Sequence, residues 1–277
     1  MDSDASGVGR REIHSGRQKR VYGGRGYRPS GGTGLGFGPP FTPPIVKQLL
    51  ITLAAVFLAQ NLIAPINTFF AVRPFDVWQR GFLWEPFTYM WLHGGLLHVG
   101  VNCLMLWMFG APLAMAWGPK RFVRFYLVCG VGAGVLISIV PYVVYALGAS
   151  AGSIMTPTLG ASGAIYGVVL AYSLTWPERT IMMFPFPIAF RAIWLIPTMF
   201  FLSVVLDPGG NVSHVGHLSG AAVGWLYLRS TGDAGTPQIS LAAIKHRWRR
   251  WRMRQKLKAV QYEEWESKRR ERDRKYH

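Results

Sequence analysis

The sequence predicts an all-α membrane protein with six transmembrane helices, on the basis of its hydropathy, its charge distribution and the lengths of its apolar segments. Half of the 277 residues are hydrophobic and only 16% are charged, whereas about a quarter of the residues in soluble domains are charged. The apolar residues form long blocks and the charges collect towards the two ends of the chain. Between Lys47 and Arg229 the carboxylates all lie beside turn-forming residues, at Asp76, Glu85, Glu178 and Asp207.

Six apolar segments reach or approach the roughly 20 residues that a helix needs to cross a bilayer. We expect the spans at about Val46–Pro65, Phe87–Ala116, Phe122–Leu147, Leu159–Trp176, Ile188–Leu206 and His214–Leu228. The fourth and sixth segments are short and rich in glycine, which suits the interior of a helix bundle. The predicted organisation is therefore a disordered Gly/Arg-rich region at 1–44, a six-helix domain at 45–230 and a basic, helical tail at 231–277.

The orientation follows from the positions of the Lys and Arg residues, because cytoplasmic segments carry an excess of these residues. With the N-terminus inside, 28 of the 30 Lys and Arg residues fall in cytoplasmic segments, and only Arg73 and Arg80 lie outside. We therefore expect a multi-pass protein with both termini in the cytoplasm, and we expect the bacterial inner membrane. The first outer loop, Ile66–Pro86, is aromatic and is expected to lie in the membrane interface.

The basic tail accounts for much of the net charge of +17, since residues 229–277 hold 15 Lys and Arg against six Asp and Glu. One interpretation is a helix that lies on the anionic cytoplasmic leaflet. The alternative is a solvated, partly disordered helix. Nucleic acid is not an expected partner, because the charge is concentrated beside the membrane domain.

Three groups of polar residues lie where a membrane span should be apolar, and such residues are functional candidates because their burial in lipid is costly. They are His93, His98 and Asn102 in the second span, Ser162 in the fourth, and His214 and His217 in the sixth. Spans two, four and six all begin at the outer face. These side chains therefore share one depth, which predicts a single site.

Small residues at a spacing of four predict that the fourth and sixth helices approach closely. The two stripes are Gly163, Gly167 and Ala171, and Gly216, Gly220 and Gly224. Contact between them could bring the Ser162 hydroxyl within hydrogen-bond reach of an imidazole. The alternative is that these residues serve packing alone, and that Ser162 bonds to its own backbone as most serines in apolar helices do.

The chemistry that this pattern favours is acyl transfer by a Ser–His dyad. Ser162 would attack a carbonyl carbon while His217 accepts its proton, without an acidic residue to orient the ring. His214 is an alternative base, but Gly220 and Gly224 lie on the same side of the helix as His217. Candidates for oxyanion stabilisation are His98, Asn102 and the backbone N–H of Ser162.

These residues carry a resemblance to the rhomboid intramembrane serine proteases, which covers about Lys47–Arg229. Gly160-Ala-Ser162-Gly resembles the G-x-S-G motif of that family, and the segment from His217 to Gly224 resembles H-x-x-G-x-x-x-G. His98-x-x-x-Asn102 resembles the H-x-x-x-N motif. The resemblance implies a six-helix rhomboid-like bundle with Ser162 as nucleophile, His217 as general base and oxyanion stabilisation by His98 and Asn102.

Two further residues match the family, and one departs from it. The resemblance implies that Tyr166 packs against the catalytic histidine and that His93 lies near the substrate entry. Gly160 belongs to the same site through the G-x-S-G motif. Glu85, however, stands after Trp84 where rhomboids often carry an arginine that braces the first outer loop.

The expected function is the hydrolysis of a peptide bond in or near the transmembrane segment of another membrane protein, whose helix enters laterally. No cofactor or metal is expected, because H-E-x-x-H is absent and no pair of aspartates lies within the spans. One alternative is a catalytically silent rhomboid-like protein that binds membrane clients. A transporter is a third class, but it would carry polar residues through the full depth of the membrane.

Overall fold

The computed structural model describes residues 38–63, 65–148, 150–183, 188–206 and 213–231, together with eleven positions of the tail. Those tail positions are helical and comprise 249–250, 252–253, 257, 263–266 and 269–270. The described residues are mostly helical. The disorder predicted for 1–44 falls almost entirely outside them, and so does most of the predicted tail helix.

Within the described ranges, three helical segments are long and apolar enough to cross a membrane. Helix α1 is Pro44–Leu62, and helix α7 is Pro119–Ala146. Both begin with proline, which suits the first turn of a helix because its missing N–H would have no partner there. Between them, α5 (Leu96–Met105) continues through a π-helical turn, Leu106–Gly110, into α6 (Ala111–Trp117). These segments match the first three predicted spans.

Three shorter helices occupy the positions of the predicted fourth, fifth and sixth spans: α9 (Ser162–Thr175), α10 (Leu195–Leu206) and α11 (His214–Ser230). Fourteen residues of α-helix extend about 21 Å, which is less than the roughly 30 Å of a hydrocarbon core. The central location of α9 compensates for its short length, since it contacts α5, α7, α10 and α11 rather than lipid alone. Most of its residues are buried, as expected for a short helix inside a bundle.

The segment predicted to form the first outer loop is folded into short helices, α2 (Ile66–Phe70), α3 (Pro74–Gln79) and α4 (Glu85–Thr88), followed by a 3₁₀ turn at Tyr89–Trp91. Trp78 ties this loop to α7 by donating from Nε1 to the carbonyl of Ser138 at 3.0 Å. Val72 pairs with Thr158, just after α8 (Gly152–Met155). The long helix of the second span begins at Leu96 rather than at Phe87, because the two glycines at 94 and 95 disfavour helix there.

The prediction of an all-α fold needs one correction, because a two-stranded sheet precedes α10. Strand β1 (Thr180–Met183) pairs antiparallel with β2 (Ile188–Arg191), and Thr180 lies opposite Arg191. The fifth span was expected to begin at Ile188, and that boundary is wrong. β-branched and aromatic residues such as Ile181 and Phe190 suit strands, and the pairing of β1 with β2 occupies 188–191 before the helix begins.

The predicted contact between the small-residue stripes of α9 and α11 is confirmed. A Cβ atom at Gly220 would overlap the carbonyl of Gly163, and one at Gly224 would lie 3.1 Å from the Cα atom of Gly167. Van der Waals contact between backbones is therefore possible only because these positions lack side chains. The packing brings the N-terminal turns of the two helices side by side.

Candidate active site

Ser162 is the first residue of α9, and the chain that leads to it is held in a conformation that favours glycine. Gly160 has φ of +133°, which residues with a side chain rarely adopt. Its N–H donates to the carbonyl of Tyr89 at 3.0 Å. The Val72–Thr158 pair fixes the preceding residues. The start of α9 is therefore defined by contacts to Val72 and to the 3₁₀ turn at Tyr89–Trp91.

The Ser162 hydroxyl differs from those of several other serines in these helices. Each of these other serines donates to a carbonyl of its own helix, about one turn earlier, at 2.8–2.9 Å: Ser138, Ser173, Ser203 and Ser230. Ser162 begins its helix and has no such bond among the described residues, and its side chain is partly exposed. Local backbone bonding, which was the alternative interpretation, does not account for this serine.

His217 lies in the first turn of α11, where Ser213 caps the helix by accepting a hydrogen bond from the Gly216 N–H at 3.1 Å. The buried His217 ring stacks on Tyr166, with centroids 4.2 Å apart and planes 12° from parallel. Tyr166 lies one turn after Ser162 on α9. A hydrogen bond between Ser162 and His217 is not formed in the described structure, and Nδ1 of His217 is buried without a partner.

His214 and His217 lie in the same turn of α11 but have different neighbours. The His214 ring packs edge-on against Phe200 of α10, with centroids 5.8 Å apart and an interplanar angle of 70°. His217 instead contacts Tyr166 of α9, the helix that carries the serine. Of the two histidines, His217 is therefore the one whose ring packs on the Ser162 helix.

His98 lies on the other side of the segment that precedes Ser162. A Cβ atom at Gly160 would lie 2.8 Å from Cε1 and 2.9 Å from Nε2 of His98, and 3.8 Å from Oγ of Ser162. The imidazole and the hydroxyl therefore flank the same glycine. Asn102 is buried one turn further along α5, where its Nδ2 donates to the His98 carbonyl at 2.9 Å. One of its two amide hydrogens is thus used within the helix.

His93 is completely buried between His98 and the residue that precedes the serine. Its ring lies edge-on to that of His98, with centroids 5.1 Å apart. Nε2 of His93 accepts a hydrogen bond from the Ala161 N–H at 3.5 Å. Although several histidines lie near one another, no group of three or more His, Cys, Asp or Glu side chains within the described ranges could hold a metal ion.

Gln60 of α1 is not among the site residues that the sequence predicts, yet it contacts this region directly. Its amide accepts from the His93 N–H at 2.9 Å and donates to the His93 carbonyl, and the side chain is only 7% exposed. A sequence signal does exist. The first span ends at the outer face in the predicted topology, so the amides Gln60 and Asn61 near its end share the depth of the histidines.

Glu85 stands where the resemblance implies an arginine, and its side chain is buried. Glu85 accepts a hydrogen bond at Oε2 from the Arg73 N–H at 2.9 Å. Asp76, which is also buried, pairs with Arg73 at 2.5 Å and with Arg80 at 3.0 Å. Burial raises the pKa of Glu85 to about 7, against an ordinary value of 4.5. Glu85 therefore connects α4 to the start of α3 by a contact that arginine could not make.

Comparisons with known proteins relate this arrangement to one family. A family profile described as Rhomboid domain matches residues 80–232. The chain is 33% identical over 141 residues to Rhomboid protein 1, mitochondrial, of Saccharomyces cerevisiae, covering 49% of this chain and 38% of that protein. It is 29% identical over 159 residues to human Rhomboid-related protein 3, covering 52% and 35%. It is 27% identical over 201 residues to RHOMBOID-like protein 12, mitochondrial, of Arabidopsis thaliana, covering 67% and 58%.

The chain thus spans less than two thirds of the length of each of these relatives. Two of the three are mitochondrial by name. The comparisons therefore do not support the bacterial inner membrane that was expected from the sequence, although the long apolar helices and the matched domain do indicate an integral membrane protein.

Proposed function

The chain belongs to the rhomboid family, and from this premise we propose that it is an intramembrane serine endopeptidase with Ser162 as nucleophile and His217 as general base. The observation that carries the proposal is the close approach of α9 and α11. It stacks His217 on Tyr166, one turn from a serine whose hydroxyl is not used by its own helix. Such a dyad would cleave the transmembrane segments of other membrane proteins.

In the proposed reaction, neutral His217 accepts the proton of the Ser162 hydroxyl as Oγ bonds to the substrate carbonyl carbon. The tetrahedral intermediate then collapses, the C–N bond breaks, and the imidazolium donates its proton to the leaving amine. Water then attacks the carbonyl carbon of the resulting ester while His217 accepts its proton. The imidazolium returns a proton to Oγ of Ser162 as the ester bond breaks and the acid product leaves. Because catalytic hydrogen bonds often tighten only when substrate binds, a small closure between Ser162 and His217 would complete the dyad.

The stacked Tyr166 would perform the orienting role that a carboxylate has in other serine proteases. An aromatic ring 4.2 Å away restricts rotation of the imidazole without adding a charge at a depth where charge is costly. The dyad would therefore depend on packing for its alignment.

The developing oxyanion needs hydrogen-bond donors on the opposite side of the serine. His98 flanks Gly160 beside the hydroxyl, Asn102 has a second amide hydrogen that its bond to the His98 carbonyl leaves free, and the Ser162 N–H points from the start of α9. We assign oxyanion stabilisation to these three groups. Loss of one such donor typically costs about 2.7–4 kcal/mol in the transition state.

The proposed topology has six spans with both termini in the cytoplasm, in which α9, α10 and α11 are the short fourth to sixth spans. It is supported by the Lys and Arg distribution and by the burial of α9 between the longer helices. The substrate helix would enter laterally, and His93 would lie near its path. The basic tail would rest on anionic lipid of the cytoplasmic leaflet.

The test is cleavage of a transmembrane substrate in liposomes by wild type, Ser162→Ala, His217→Ala and His214→Ala. We expect Ser162→Ala and His217→Ala to lose at least about a thousandfold in kcat, since the two groups act as a unit, while His214→Ala retains most of the activity. Ser173→Ala is a matched control, because Ser173 lies on the same helix and donates to the Val169 carbonyl.

Equal turnover by wild type and Ser162→Ala would reject the protease assignment. Activity that survives in His217→Ala but not in His214→Ala would move the base to His214. Capture of the substrate by wild type without any cleavage would instead support a client-binding protein.

A further inference from the structure

We propose that Gln60 is a positioning residue that aligns the segment before the nucleophile through His93. This inference rests on the proposed protease function and assigns a role to α1, the helix that supplies none of the groups proposed for the reaction. The side chain of Gln60 is buried, and the other buried residues of α1 are apolar: Val46, Leu49 and Leu53. An amide is costly to bury in such surroundings unless it is hydrogen-bonded.

The contact between Gln60 and His93 has two points of attachment. Oε1 of Gln60 accepts from the His93 N–H at 2.9 Å, and Nε2 donates to the His93 carbonyl. A planar amide that bonds both main-chain groups of one residue fixes its orientation as well as its distance. The side chain thus substitutes for the neighbouring strand or helical turn that His93 lacks.

His93 needs this support because it lies between two regular elements. The 3₁₀ turn ends at Trp91 and α5 begins at Leu96, so residues 92–95 belong to no helix. Backbone at membrane depth must have its polar groups satisfied by protein. Gln60 satisfies both main-chain groups of His93 and thereby holds the ring in place.

The ring of His93 reaches the nucleophile segment directly. Its Nε2 accepts from the Ala161 N–H at 3.5 Å, and its edge meets the ring of His98 at a centroid distance of 5.1 Å. Ala161 immediately precedes Ser162, and His98 is a proposed oxyanion donor. A displacement of His93 would therefore disturb the nucleophile and the oxyanion site together.

The variant that tests the inference is Gln60→Met, which keeps the length of the side chain and removes both hydrogen bonds. Asn61→Met is the matched control, because the exposed Asn61 amide donates only to the Phe57 carbonyl of its own helix. The probe is a fluorophosphonate that labels the nucleophilic serine of the full-length protein in detergent. Thermal unfolding is measured in the same samples.

We expect Gln60→Met to lower the labelling rate and kcat by about ten- to a hundredfold with little change in KM, and Asn61→Met to remain within about twofold. In the background of His93→Ala, Gln60→Met should have little further effect, because the ring through which Gln60 acts is then absent. A role in stability alone would not produce this non-additivity. If Gln60→Met fails to fold, Gln60→Glu is measured in its place. This variant keeps an acceptor for the His93 N–H, so its labelling rate should fall less than the ten- to hundredfold expected for Gln60→Met.

Labelling of Gln60→Met at the wild-type rate, or effects of Gln60→Met and His93→Ala that add, would overturn the inference. If wild type is labelled and Ser162→Ala is not, the proposed function stands whatever Gln60→Met does. If wild type itself is not labelled, the proposed function is rejected, and the inference that rests on it is rejected too.

Discussion

The α9–α11 interface and the region between residues 72 and 95 are held together by different forces. The interface depends on the absence of side chains, since Gly163 and Gly220 are in backbone contact. The region 72–95 depends on buried polar side chains, such as Glu85 on the Arg73 N–H and Gln60 on the backbone of His93.

The physical reason is the state of the backbone in each region. A helix satisfies its own N–H and C=O groups, so two helices can approach until only van der Waals contact limits them. Irregular backbone at membrane depth leaves these groups open, and side chains must then bond to them. The proposed dyad would therefore be aligned by packing and the proposed oxyanion side by hydrogen bonds.

The largest effect is expected from Gly220→Ala, because the added Cβ would overlap the Gly163 carbonyl and separate α9 from α11. We expect a loss of about 3 kcal/mol in stability, together with loss of peptidase activity. Thermal unfolding and substrate cleavage measure the two. Gly100→Ala is the control, since a Cβ atom there meets nothing within 4 Å and alanine favours helix. Comparable stability of both variants would contradict alignment by close packing.

An intermediate effect is expected at Tyr166. Tyr166→Ala removes the ring that stacks on His217 and should lower kcat about two- to tenfold, the range that corresponds to an aromatic contact of 0.5–1.5 kcal/mol. Tyr166→Phe keeps the ring and should retain most of the activity. If the two variants lose activity equally, the hydroxyl rather than the stacking matters, and the emphasis on packing at the dyad is wrong.

The smallest effect concerns the pH dependence of stability through Glu85. Because the folded protein raises the pKa of Glu85 from 4.5 to about 7, it binds the proton more tightly than the unfolded chain does. The stability due to this group is fully present below about pH 4.5 and is lost as the pH rises through 7.

Wild type should therefore unfold at a lower temperature at pH 8 than at pH 5, and Glu85→Gln should reduce that difference by about 2–4 °C. Thermal unfolding at the two pH values measures it, with Glu178→Gln as the control because Glu178 is exposed and pairs with Arg191. Equal pH dependence in wild type and Glu85→Gln would show that Glu85 is solvated rather than buried in a polar contact network.

The polar residues within the spans could be recognised from the sequence because burial of a polar side chain in lipid is energetically costly, so such residues are rare in apolar segments. Ser162, His98 and His217 are recognisable in this way, and the stripes that contain Gly163 and Gly220 indicated which helices would meet. Gln60 could be noticed as one of two neighbouring amides, Gln60 and Asn61, but its partner is the backbone of His93. Every residue offers the same backbone groups, so no sequence pattern identifies that partner.

The amino-acid sequence by itself determined the apolar segments, their approximate positions and the motifs that place this chain in its family, because these depend on composition and spacing along one chain. The tertiary structure alone decided that His217 rather than His214 contacts the helix of Ser162 and that β1 and β2 precede α10. It also decided that Glu85 bonds to Arg73. Side-chain direction and backbone pairing depend on which elements become neighbours, and that is settled only when the helices pack.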